Sequence, residues 1–346
     1  MSQFSQGWQT VYSWVGVGFF SGFLSYFSCN IAMALALKSN MLALPGERQS
    51  HQHATPTGGG LGLVFAIILT TLSLELIISL PFFWWQKMLP GVLLLAIVGW
   101  RDDKLPVSPL LRLLIQFAVS IWLIGFGWWE FPLKEMFLST CAIVAMIWLM
   151  NVYNFMDGSN GMAGFQGVFA GMTMAVFFQI GGEYSMALVA LAVAAACAGF
   201  LPLNFPSARV FMGDVSSVPL GFIFASFAIY GIQTGSISLP LSILIMSVFF
   251  VDATLTLLSR AFQGERWYTA HARHVYQRLI AHGWSHQRVL VVYQAINMVL
   301  VLPAIVLVKM YPQHALVTVA LILLLLGVCW HIANWRLGMT AEVQVR

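Results

Sequence analysis

Long apolar runs separated by short polar breaks organise this chain from end to end. Eleven runs lie near 11–37, 58–82, 84–100, 110–128, 134–150, 161–180, 185–203, 217–233, 238–259, 289–308 and 315–334. A helix needs roughly 20 apolar residues to cross a bilayer. The pattern therefore predicts an all-α, polytopic integral membrane bundle of about eleven transmembrane helices. Only Pro81 to Lys87 divides the pair at 58–100, so ten spans is the alternative. No internal repeat, low-complexity tract or soluble-domain boundary interrupts the pattern, and residues 1–346 read as one membrane domain.

Composition agrees. Apolar residues make up 60% of the chain and charged residues 8%, against about 45–50% and 25% in soluble domains. Charge then sets orientation. With eleven spans, one side holds Lys38, Arg48, Arg101, Lys104, Arg112, Arg209, Arg260, Arg266, Arg273, Arg278, Arg288, Arg336 and Arg346, and the other only Lys87, Lys134 and Lys309. Such a bias marks the first side as cytoplasmic, with the N-terminus outside and the C-terminus inside. The net charge of +4 suits anionic headgroups and gives no reason to expect nucleic acid. The first run lacks a positive n-region and a cleavage signal, so it reads as a retained helix. Cys29, Cys141, Cys197 and Cys329 all fall inside spans without C-x-x-C spacing and read as packing residues.

The same assignment places Asp102, Asp103, Asp157, Asp214 and Asp252 at or near the cytoplasmic face. The polar breaks there are longer than the outer ones, so the chemistry is expected at that end. In GERQSHQHATPTGGGLG, Gly58, Gly59 and Gly60 run into the second span. They fit either an anion cradle at a helix start or close helix packing. In WRDDKLP, adjacent Asp102 and Asp103 would diverge by about 100° on a helix and take different jobs. They suit Mg²⁺, which binds through one or two carboxylates plus substrate phosphates, or an interfacial pair neutralised by Arg101 and Lys104. Asn151, Asn154, Asp157 and Asn160 cluster in NVYNFMDGSNG, where a metal, a base edge, a sugar amide or a plain turn all fit. Asp214 sits in FMGDVSS. His271, Arg273, His274 and Arg278 suggest a cationic clamp for diphosphate or a solvated basic loop. Zinc at His271 and His274 lacks a third ligand nearby. Asp252 lies inside a span, where an ionisable group is a functional candidate unless an arginine such as Arg260 pairs with it.

Taken together, these motifs resemble the polyprenyl-phosphate N-acetylhexosamine-1-phosphate transferases (glycosyltransferase family 4), most closely the O-antigen-initiating branch. The likeness runs from HATPTGGG to YTAHARHVYQRL. It implies a bacterial inner-membrane enzyme that moves a sugar 1-phosphate from a UDP-N-acetylhexosamine to undecaprenyl phosphate and releases UMP. It also implies Mg²⁺, with Mn²⁺ as an alternative ion, and leaves a homo-oligomer open. By motif, Asp102 and Asp103 match the pair assigned to catalysis and the lipid phosphate, Asp157 matches a catalytic acid, and Asp214 matches the metal-binding aspartate, with Asp102 beside it. His271 and His274 match the diphosphate-holding loop. The chain departs from the pattern at Asn160, Ser216 and Thr57, where an acid, a glycine and an arginine are usual. A lipid-carrier glycosyltransferase releasing UDP and a membrane transporter remain the rival readings.

Overall fold

The computed structural model describes residues 2–43, 54–125, 132–266 and 271–344. Arg48 and Arg346 of the charge count, and residues 44–53 and 267–270 of two inner loops, lie outside them.

Every apolar run contains helix. The order is α1 (Ser2–Lys38), a two-residue antiparallel ladder of β1 (Leu42–Ala43) with β2 (Thr55–Pro56), α2 (Gly60–Glu75), a π turn (Phe83–Met88) leading into α3 (Leu89–Lys104), α4 (Pro109–Ile124), α5 (Leu133–Phe155), α6 (Met162–Ile180), α7 (Tyr184–Asn204), α8 (Asp214–Thr234) and α9 (Leu239–Phe262). The short α10 (Val275–Ala281) precedes α11 (His286–Ile296), which continues through a π segment (Asn297–Val301) into α12 (Leu302–Met310), and α13 (Ala315–Gln344) closes the chain.

The expected eleven spans meet a shorter count of long helices. Among the described residues, nine helices are long and apolar enough to cross a membrane. Helices α2 and α4 have 16 residues each, or about 24 Å. The second run breaks early because Glu75 Oε2 accepts the Leu80 N–H (2.7 Å) and turns the chain. The fourth ends at Gly125, whose φ of +117° no helix admits.

Small residues let the backbones approach. Ser21 and Ser25 of α1 donate to the Ala192 and Ala196 carbonyls of α7, each at 2.7 Å. A Cβ on Gly221 of α8 would sit 2.6 Å from Met150 Cα of α5. Such contacts drive association where lipid is as apolar as the side chains. Helices α7 and α8 are consequently buried along most of their length, while α1, α4, α5 and α13 turn Phe19, Leu114, Phe137, Leu324 and similar residues outward. Cys29 and Cys197 are buried and Cys141 and Cys329 exposed.

Contacts at the helix ends show that the chain keeps returning to one end of the bundle. The start of α2 bonds the extended segment before α8, and the ends of α3 and α5 both meet the start of α8. Asp252 supports that end from inside α9. Its Oδ2 accepts the Tyr293 hydroxyl of α11 (2.6 Å), and its Oδ1 accepts the first amide of α10, Val275 (3.0 Å). Arg260 pairs instead with Glu265 at 3.0 Å. Asp252 thus ties three helices together rather than serving an arginine.

Candidate active site

Four local devices aim the polar side chains. Helix α3 stops after Lys104 because Leu105 precedes Pro106 and turns extended (φ −144°, ψ 119°). That leaves Asp102 and Asp103 in its last turn, on different sides. Ser108 caps α4 by accepting the Leu111 N–H at 3.2 Å, with Pro109 at the first helical position. Arg112 is thereby brought back over Asp102. Gly213 (φ +75°, ψ 170°) opens α8 in a conformation that L side chains rarely adopt. Asn154 sits in the last turn of α5.

The first amides of α8 have no partner within their own helix. Asp103 supplies one from α3. Its Oδ1 accepts the Asp214 N–H (3.0 Å) and its Oδ2 the Val215 N–H (3.2 Å), a negative charge where the helix dipole favours one. Asp214 is held in turn by Asn154 Nδ2 (2.6 Å to Oδ1) and Arg112 Nη1 (3.2 Å to Oδ2). Asn154 also donates to Ser217 Oγ at 2.9 Å.

Asp103, Asp157, Asp214 and Asn154 line one pocket of about 300 Å³, together with Gly158, Ser159, Asn160, Asn204 and Gln277. The lining thus combines three carboxyl groups with neutral hydrogen-bonding groups. Burial, followed by the charges of Asp214 and Asp103, pushes the Asp157 carboxyl well above the usual range. Asp157 is therefore held toward its protonated form beside the other two carboxyls, and a cation in the pocket would favour its ionisation.

Several expectations are corrected by this geometry. Asp102 does not line the pocket: Arg112 takes its Oδ2 (2.7 Å) and the Val107 N–H its Oδ1 (2.5 Å). It anchors Arg112, which it shares with Asp214. The amides of Gly59 and Gly60 donate to the Phe211 and Met212 carbonyls, both at 3.0 Å, and a Cβ on Gly60 would collide with Ser216. With Gly58 (φ +85°) these glycines make a tight crossing, not an anion cradle. Asn151 faces Gln116 (2.8 Å), away from the pocket.

The His/Arg loop also stands to one side, with only Gln277 lining the pocket. Arg273 pairs with Glu265, and Arg278 donates to Asn334. His274 is buried, its ring stacked on Phe155 with centroids 6.0 Å apart. Burial, then the charges of His274, Arg260 and Arg273, lowers His271 to about 4, and burial also lowers His274. The histidines are therefore neutral near pH 7, and the clamp is not cationic through them. A neutral folded histidine loses stability as the unfolded chain protonates. The thermal midpoint should fall as pH drops from about 6.5 toward 4, and His271→Gln should flatten that window; an unchanged slope in the variant would contradict the assignment.

Arg112, Ser217, Asn204, Gly213 and Gln277 are site residues that spacing did not single out. Asn160 donates to the Pro206 carbonyl at 3.1 Å, a bond that an aspartate could not make. That accounts locally for the missing acid.

Comparison with known proteins fits this arrangement. The family model described as "Glycosyl transferase family 4" matches residues 85–232, which span α3 to α8. The chain is 25% identical over 297 residues to the probable undecaprenyl-phosphate N-acetylglucosaminyl 1-phosphate transferase of Bacillus subtilis, covering 80% of each chain. It is 27% identical over 316 residues to the decaprenyl-phosphate N-acetylglucosaminephosphotransferase of Mycobacterium tuberculosis, covering 80% of this chain and 78% of that one. A phospho-N-acetylmuramoyl-pentapeptide-transferase of Shouchella clausii is 28% identical over 286 residues, or 72% of this chain and 83% of the relative. The similarity runs through the helices that build the acidic pocket: residues 85–232 match the glycosyl transferase family 4 model, and the chain is similar over most of its length to polyprenyl-phosphate sugar-1-phosphate transferases.

Proposed function

We propose that this protein transfers an N-acetylhexosamine 1-phosphate from a UDP-sugar to undecaprenyl phosphate and releases UMP, the first step of an O-antigen or related cell-envelope polysaccharide. The observation that carries the reading is the mixed lining of the pocket. Asp103, Asp157 and Asp214 line it together with Ser159, Asn160, Asn204 and Gln277, at one end of an apolar bundle. A UDP-sugar has matching halves, a diphosphate that needs charge neutralised and a neutral hydroxyl- and amide-bearing sugar. The relatives' printed acceptors, undecaprenyl and decaprenyl phosphate, supply the lipid. We place the pocket at the cytoplasmic face of a bacterial inner membrane, with α2 and α4 completing eleven crossings, because the charge bias and the return of the chain to one end support it.

The donor set suits a hard divalent cation. Oxygen ligands crowd together without a neighbouring soft one, and Mg²⁺ takes few carboxylates and keeps its waters. Asp214 and Asp157 are the residues that would hold it; Mn²⁺ shares the preference. Bound there, Mg²⁺ would neutralise charge on the diphosphate.

The chain's own residues then position the reactants. A lipid phosphate oxygen forms a bond to the sugar-bearing phosphorus while the bond from that phosphorus to the bridging oxygen breaks, its electron pair leaving with UMP. A phosphate monoester has its second pKa at roughly 6, so the acceptor is largely dianionic and needs little base. Asp103, with both oxygens on the α8 amides, works as a positioning group that fixes Asp214 rather than as a nucleophile. Arg273 reaches a diphosphate by exchanging Glu265 for phosphate.

The test gives purified protein undecaprenyl phosphate, Mg²⁺ and a panel of UDP-sugars, then identifies the nucleotide released. UMP is the expected product. UDP would mean a glycosyl transfer instead, and no turnover with any sugar would overturn the enzyme reading in favour of transport.

A further inference from the structure

His286 belongs to no motif used so far, yet it touches the pocket wall. It opens α11, after Ser285, whose Oγ accepts the Arg288 N–H at 3.2 Å. Its Nδ1 lies 2.9 Å from Ser159 Oγ and accepts the Asn160 backbone N–H at 3.4 Å. Both partners line the pocket. They stand 127 and 126 positions away in the chain, so spacing could not reveal the contact.

The bond has a defined sense. A backbone N–H can only donate, so Nδ1 must carry a lone pair and the remaining ring proton sits on Nε2. With Nδ1 fixed as acceptor, the Ser159 hydroxyl donates to it, and its own lone pairs are left for another donor. The loop from Met156 to Gly161 is held at several points, with Gly158 packed against the Tyr276 hydroxyl. Tyr276 bonds the Phe155 carbonyl before it (2.8 Å), and Asn204 accepts the Gly161 N–H after it (2.6 Å). Between these two points, His286 binds the backbone of Asn160 while the Asn160 side chain reaches Pro206.

We infer that His286 is a positioning residue for the Ser159–Asn160 edge of the pocket, orienting the Ser159 hydroxyl and the Asn160 backbone to receive the uncharged half of the donor substrate. This rests on the transferase reading above. Its bonds at the pocket run to Ser159 and Asn160, so its loss weakens donor recognition and leaves the acceptor side intact.

His286→Asn and His286→Leu separate this role from mere packing. The asparagine Oδ1 falls close to the position of Nδ1 and still accepts; leucine fills the space and cannot. In the UMP-release assay, His286→Leu should raise KM for the UDP-sugar about tenfold, the size of one lost hydrogen bond. Its kcat and its KM for undecaprenyl phosphate should stay within about twofold, and His286→Asn should recover most of the loss. Ser159→Ala should raise the same KM, and adding His286→Leu to it should cost little more. Amide hydrogen exchange over 156–161, read without substrate, should quicken in His286→Leu and not in His286→Asn.

Wild-type protein that releases no UMP sinks the transferase reading alone, because the exchange measurement still reports on His286. Equal KM values for the leucine and asparagine variants, with unchanged exchange, overturn the role of His286 while the reading stands. A fall in kcat with KM unchanged overturns it as well.

Discussion

Asp214→Asn should lower UMP release by about a thousandfold or more while the protein still purifies as a monodisperse species. The carboxylate stands at the first position of α8 with each oxygen engaged differently, Oδ1 by Asn154 (2.6 Å) and Oδ2 by Arg112 (3.2 Å). Asparagine keeps the shape but removes the charge, and its amide must face one of two donors. The mismatch costs roughly 1–3 kcal/mol, a shift visible in the melting curve but survivable. Loss of a preorganised charge at a phosphoryl-transfer site costs far more in rate, on the order of 3–4 kcal/mol of barrier or above. Asp102→Asn provides the contrast. Asp102 does not line the pocket but shares Arg112 with Asp214, so its loss should slow turnover roughly tenfold. Near-normal activity of Asp214→Asn would remove Asp214 from the site. An Asp102→Asn variant as inactive as Asp214→Asn would restore Asp102 to it.

The contrast between those two aspartates also shows what a sequence carries and what it does not. Apolar runs bounded by Pro, Gly and Asn marked helix positions well, because main-chain sterics act locally: Leu105 before Pro106 ends α3, and Gly213 opens α8. The polar breaks WRDDK, NVYNFMDGSNG and FMGDVSS were legible as one site, since alternating helices return their ends to one side. Partners were not legible. Asp102 and Asp103 were legible as a diverging pair with different jobs. Which job fell to which is set only by α4, which brings Arg112 over one, and α8, which brings its amides to the other. Asp252 has Arg260 two turns away in sequence, but Tyr293 and the Val275 amide reach its oxygens first. The glycines before α2 failed in a different way. An anion cradle and a close helix crossing need the same residue, and only the committed amides of Gly59 and Gly60 separate them. Arg112 carried a signal after all, as a cation in the first turn of a helix capped by Ser108. The dipole disfavours a cation there, which is a reason to look for an acid that compensates.

Gly213→Ala should inactivate the enzyme through the backbone alone, with every charged group retained. Two separate costs meet at this position. The φ of +75° with ψ of 170° lies where a side chain is strained, worth about 1–3 kcal/mol. The added Cβ would also fall well inside contact distance of Asp103 Oδ2, which cannot retreat without releasing the Asp214 and Val215 amides. Relief must come from moving Asp103 or the start of α8, and either displaces Asp214 from Asn154. A shift of about 1 Å in a phosphoryl-transfer site is enough for a hundredfold loss. Turnover should therefore fall at least a hundredfold, with a lower melting temperature to match. Gly235→Ala is the control, since it has a similar φ of +75° but nothing within reach of its Cβ. It should lower the melting temperature and leave turnover nearly intact. If both variants lose activity equally, strain in general is responsible, and the packing of Gly213 against Asp103 is not what holds the acidic side chains in place.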